Sequence, residues 1–236
     1  MIPGPLNLLD LLALAVFAAC GGGYALVVDR MPSVRSRSVI AAMDHWRHRW
    51  MRRAARRDAR IVDSSIIGTL AASVQFFATT TIFILGGLVA MLGAGERAFA
   101  AVRALPFAAD PDPVRYEIQV MSLMVVFVYC FFKLTWSLRQ FNYASIALGA
   151  IPHVNEDENA DAVADVAARV ANRGARHLNS GIRAYYFGVA LLTWFVHPVA
   201  LMVASIWVVV VLYRREFRSA LLEALGQDIR NPLTGR

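Results

Sequence analysis

Lysine is all but missing from this chain. Lys133 is the only one in 236 residues, and the other 23 basic residues are arginines. Cysteine is scarce too: Cys20 and Cys130 each lie inside an apolar run, and no CxxC or Cys/His spacing occurs. That excludes the usual zinc and iron–sulfur patterns, and no metal or other cofactor is expected. Charged residues make up only 17 % of the chain, and no Asp or Glu falls deep within an apolar run. Proton relays and cation paths keep an intramembrane acid, so a proton-coupled pump lacks its central part. GxSxG, a Walker loop, HExxH and paired catalytic carboxylates are also absent. The expectation is a protein that is not an enzyme.

What is present is apolar. Hydrophobic residues reach 58 %, against about 45–50 % in soluble domains. They gather in four blocks, and that pattern predicts an all-α integral membrane bundle in a single domain, 1–236. The expected spans are about 6–28, 65–92, 118–138 and 184–213. The first has no basic segment before it and is long for a signal peptide, so it reads as a retained span. Gly21–Gly23 within it predicts a close backbone approach or a bend. Pro198 in "WFVHPVA" predicts a kink in the middle of the fourth.

The net charge is +7, carried by arginine. Ten arginines lie between Arg30 and Arg60, beside apolar spans, a placement that suits anionic lipid head groups rather than nucleic acid. From Ser38 the apolar residues recur at helical spacing, which predicts a basic interfacial helix over about 38–60. Trp46 and Trp50 would sit at head-group depth, and Arg47, Arg49, Arg52, Arg53, Arg56 and Arg57 would contact anionic lipid. A soluble helix over about 158–176 should follow Pro152, acidic at its start (Glu156, Asp157, Glu158, Asp161, Asp165) and basic at its end, with a weak apolar stripe of Ala162, Val166, Val170 and Ala171.

The loop over 93–113 holds two arginines against ten in the first loop. The positive-inside bias places the first loop in the cytoplasm and the N-terminus outside. Four crossings then carry the C-terminus outside, yet the tail after Tyr213 holds five arginines and prefers the inside. Four simple crossings cannot satisfy both.

On a helix with 100° steps, Ser122, Tyr129, Ser137 and Gln140 share a face with Lys133. Such an intramembrane stripe faces a bundle interior, and Gln75, Thr79 and His197 are the polar residues that could answer it. Lys133 lies near the inner boundary, where its stem can snorkel to the head groups. Pairing with Asp63 and an anion site are the alternatives.

"FFKLTWSLRQFNYASIALGAIP", "IGTLAASVQFFATTTIFILGGLVAMLG" and "AYYFGVALLTWFVHPVALMVASIWVVVVLYRREF" resemble a bacterial membrane-protein family of unknown function, DUF599, over nearly the whole chain. The resemblance implies a multi-span integral membrane protein of the bacterial inner membrane and carries over no catalytic residues. The expectation is a structural or interaction protein in a bilayer with anionic head groups, a homo-oligomer or an accessory subunit of a membrane complex. A solute or anion transporter built around Lys133 is the alternative.

Overall fold

A computed structural model describes residues 6–104, 112–153, 155 and 159–230. The expected acids Glu156, Asp157 and Glu158 lie outside the described residues. The described residues are almost all helical, with no strand among them: α1 (Leu8–Arg30), α2 (Pro32–Arg35), α3 (Val39–Ala54), α4 (Ile61–Gly93), α5 (Glu96–Arg103), α6 (Pro113–Gly149), α7 (Ala160–Leu192), a 3₁₀ turn (Thr193–Phe195), α8 (Pro198–Phe217) and α9 (Ala220–Arg230). Four stretches are long and apolar enough to cross a membrane: Leu8–Arg30, Ile61–Gly93, Pro113–Gly149 and Pro198–Leu225. Their outer faces carry large bare apolar groups. Phe83 is 75 % exposed and Trp207 66 %, surface that only lipid would cover at low cost. The chain is an all-α membrane protein.

Two compact units divide the fold. The first takes Met1–Arg30, Thr79–Phe132 and Ser180–Leu212, and the second takes Met31–Ala78, Lys133–Asn179 and Tyr213–Arg236.

The first unit packs α1 with segments of α4, α6, α7 and α8. Its core joins Ala13, Leu88, Tyr116, Val120, Leu123, Phe127, Leu191, Trp194 and Leu201. Helix α7 runs antiparallel to α1 here: Arg183 pairs with Asp29 near the end of α1, Phe187 packs on Phe17, and Trp194 meets Asp10 near its start. This part of α7 therefore covers the same depth as α1. Gly21 was expected to admit a close backbone. Instead a Cβ there would meet only the Phe187 ring at an ordinary 3.7 Å, and one at Gly22 or Gly23 would meet nothing within 4 Å. Helix α1 continues through all three glycines.

The second unit contains α3, α9, the start of α4, the end of α6 and the first half of α7. Arg60 closes the end of α6 by donating to the carbonyls of Leu148, Ile151 and Pro152, while its Nε donates to Ala54 O. The expected apolar stripe of α7 differs from the observed one. Ala160, Ala164, Ala167, Ala168, Ala171 and Ala175 are buried, while Val166 is 46 % exposed. Alanines win the inward face because small side chains let helices approach closely.

The seam of α6 is regular along its length. Tyr116, Val120, Leu123, Phe127, Cys130, Leu134, Ser137, Phe141, Ala144 and Leu148 are all buried, alternating steps of four and three as in a coiled coil. Opposite them α7 offers a glycine at every seventh position. In the second unit Ser137 Oγ donates to Gly174 O at 2.7 Å. In the first, Cys130 Sγ lies 3.3 Å from Gly181 O, and Gly188 faces the Phe127 ring so closely that a Cβ would fall 2.8 Å from it.

Two expectations are corrected. The soluble helix over 158–176 and the start of the fourth span are one continuous helix, α7. The fourth span does not run from Ala184 to Tyr213 with a kink; the chain breaks at 193–197, and Pro198, which lacks an N–H, opens α8 at the position that tolerates it. His197 serves that break rather than a bundle interior, its Nδ1 accepting from Val199 N at 3.1 Å as a helix cap. In the tail, helix α9 packs on α3, and Ile40 N donates to Glu216 Oε1 at 3.0 Å.

Candidate functional site

The deepest charges of the first unit sit where three helix starts or breaks converge. Asn7 and Asp10 cap α1 reciprocally: Asp10 N donates to Asn7 Oδ1 at 2.8 Å, and Asn7 N donates to Asp10 Oδ2 at 3.2 Å. Asp112 caps α6 by accepting from Arg115 N at 2.9 Å. These caps aim Asp10 and Arg115 at each other. Arg115 Nη2 lies 2.9 Å from Asp10 Oδ1, and Trp194 Nε1 donates to the same oxygen at 2.8 Å. Gln119 Nε2 then donates to Trp194 O at 3.0 Å, and Tyr116 OH to Met91 O at 3.3 Å. Asp10 and Trp194 are fully buried and Arg115 is 5 % exposed. Each buried ion costs several kcal/mol to desolvate, about what a well-made pair with further hydrogen bonds returns. The cluster ties α1, α6 and the α7–α8 break together, with Asp10 Oδ1 taken up by two donors.

The second unit closes its arginines on acids. Arg52 grips Asp165 with Nε at 2.9 Å and Nη2 at 2.7 Å, and Arg56 grips Asp161 with both Nη groups at 2.9 Å. The hydrogen bond from Arg52 holds the Asp165 carboxyl well below the usual range, at about 2, with His48 beside it adding to the effect. Asp161 is lowered in the same direction by Arg56. Asp44 gathers Arg35 at 3.2 Å, Arg47 at 3.3 Å and Arg176 at 3.2 Å, and Arg47 also donates to Asn172 Oδ1 at 3.2 Å. Burial pulls the Arg47 guanidinium below its ordinary value, against the pull of Asp44. Asp63, fully buried, accepts from Trp50 Nε1 at 2.6 Å and from Arg57 at 2.5 Å.

The expected lipid-facing set is thus placed as follows. Arg47, Arg52, Arg56 and Arg57 each bind an acid of the chain, Arg52 and Arg56 keeping about half their side chains exposed (54 % and 48 %). Arg49 stacks over Trp46 with its guanidinium carbon 5.1 Å from the ring centroid, and Arg53 is exposed. Trp50 turns to Asp63. Helix α3 itself is built into the unit, with Ala42, Met51 and Ala54 buried.

The stripe around Lys133 does not gather into one site. Ser137 bonds the α7 backbone, and Ser122 Oγ donates to Ile118 O of its own helix at 2.7 Å. Gln140 lines the approach to Gly174. Tyr129, Gln75, Thr79 and His197 are exposed, and Lys133 is half-buried near His177. Asp63, the acid once open to Lys133, is held by Trp50 and Arg57. Asp10 and Arg115, which the sequence reading left outside the site, carried a signal: an acid and an arginine in the first turns of two spans that begin on the same side.

No group of three or more His, Cys, Asp or Glu that could hold a metal occurs among the described residues. A family described as "protein of unknown function, DUF599" matches residues 12–221. The chain belongs to the DUF599 family. No curated protein and no solved structure matches it. For this DUF599 chain the family adds no chemistry, so function has to be argued from the tie points themselves.

Proposed function

We propose that this DUF599 protein is a structural or interaction component of the bacterial inner membrane, self-associating or acting as an accessory subunit of a larger complex. Its arginine-rich side faces the cytoplasm and the anionic head groups there, with Arg49, Arg53 and the exposed flanks of Arg52 and Arg56 toward the lipid. One observation carries the reading: the buried carboxylates Asp10 and Asp63 are each held by two donors from other parts of the chain. Charges used this way fix helix positions and are not available for turnover. A solute path around Lys133 has less behind it, because Gln75 and Thr79 face outward.

The deciding experiment is native mass measurement after extraction in mild detergent, paired with crosslinking in intact membranes. A homo-oligomer or a co-purifying membrane protein supports the proposal. A lone monomer in both measurements overturns it. Flux through reconstituted vesicles that Lys133→Ala abolishes would move the assignment to the transporter.

A further inference from the structure

We infer that the groove between α1, α6 and α7 in the first unit is a binding site for a phospholipid whose head group carries both a phosphate and a primary ammonium. The groove holds about 370 Å³, within the roughly 300–1,000 Å³ range of small-molecule sites. Phe17, Gly22, Ala25, Val126 and Phe187 make its walls, a lining suited to an acyl chain and to little else.

One end of the groove is charged. Arg183 lines it with only 11 % of its side chain exposed, and Nη2 makes both of its hydrogen bonds, to Asp29 Oδ2 at 2.6 Å and to Ser180 Oγ at 3.2 Å. Nε and Nη1 bond to no described residue and are not sealed from the groove, so they can donate to an acceptor that enters it. Phosphate oxygens in fork geometry suit a guanidinium. Asp29 is 48 % exposed beside it. A second anion alone would meet that carboxylate, whereas a dipolar head group answers both charges: its phosphate takes Arg183 and its ammonium donates to Asp29. Asp29 lies one residue from the end of α1, at the head-group level of that span. The occupant therefore comes from the bilayer itself.

Gly22 supplies the cleanest probe. A Cβ there would meet no protein atom within 4 Å, and Gly22 lines the groove, so Gly22→Leu places its side chain in groove volume. The full chain would be purified and delipidated in a phosphate-free detergent. It would then be titrated with dioleoyl phosphatidylethanolamine, dioleoyl phosphatidylcholine or oleate, and adducts counted by native mass spectrometry. Wild type should take one phosphatidylethanolamine at least 5-fold more tightly than phosphatidylcholine, whose ammonium has no N–H, and more tightly than oleate. Gly22→Leu should weaken that adduct at least 10-fold, and Asp29→Asn should erase the preference over phosphatidylcholine. Unchanged binding in Gly22→Leu overturns the site. Equal binding of the two phospholipids, or of oleate, by wild type overturns the head-group assignment. Neither result depends on whether the chain self-associates.

Discussion

Asp10 and Arg115, 105 positions apart in the chain, meet at 2.9 Å with almost no access to solvent. Removing one member of a buried pair leaves the other uncompensated, at a cost of about 3–5 kcal/mol, whereas replacing both by apolar groups of similar size is often neutral. Asp10→Asn and Arg115→Met singly should therefore lower stability by about that amount. An Asp10→Leu/Arg115→Met double variant should recover most of it, read as thermal unfolding in detergent. A double variant as unstable as the sum of the singles would mean that the pair is not the unit that matters.

Glycine at 188 is required by contact, since a Cβ would sit 2.8 Å and 3.0 Å from atoms of the Phe127 ring. Gly188→Ala should cost about 1–3 kcal/mol as overpacking, and adding Phe127→Leu should relieve part of it. If Gly188→Ala melts with wild type, Phe127 does not press on the α7 backbone at this point.

The contact between α9 and α3 puts the tail and the first arginine-rich loop on one side. Single cysteines at the exposed Ser36 and at Ser219, in a chain with Cys20 and Cys130 changed to Ala, should react with an impermeant maleimide from the same face of sealed vesicles. A cysteine at Asn7 should react from the opposite face. Labelling of Ser36 and Ser219 from opposite faces would mean that the contact between α9 and α3 does not form in the membrane.

Asp165 has its folded-state pKa lowered to about 2 by Arg52 and His48, from an unfolded value of about 3.9. A lowered carboxylate pKa adds stability that is fully present above the unfolded value and is lost as pH falls through the folded one. The contribution should disappear between about pH 4 and pH 2. Arg52→Gln should raise the Asp165 pKa and flatten that part of the stability profile, with a loss at neutral pH of about 1 kcal/mol or less for a pair this exposed. An unchanged acid profile in Arg52→Gln would show that the pair is not formed in solution.

Much of this was legible in the sequence, and the failures have physical causes. The long apolar runs of α1, α4 and α6 announce themselves because lipid demands uninterrupted helices. Helix α7 hides because its second half is apolar for only a short stretch beyond Arg183, and its neighbours supply the rest of its shelter. Pro198 reads as a kink in sequence, yet a proline is equally at home opening a helix, and only Trp194 seated on Asp10 decides between them. Lys133 drew attention through its rarity. The buried tie points instead use arginines and acids that composition presents as ordinary span ends. The steps of four and three along α6 are the signal that was available and points straight to the buried face.

At Gly174 and Gly188 the rings of Phe141 and Phe127 stand directly against bare α7 backbone. A ring wedged on main chain has few rotamers to freeze and little room to swing aside. The spacing of the two helices is then set by ring against backbone, so it will stay nearly constant when temperature or bilayer composition changes.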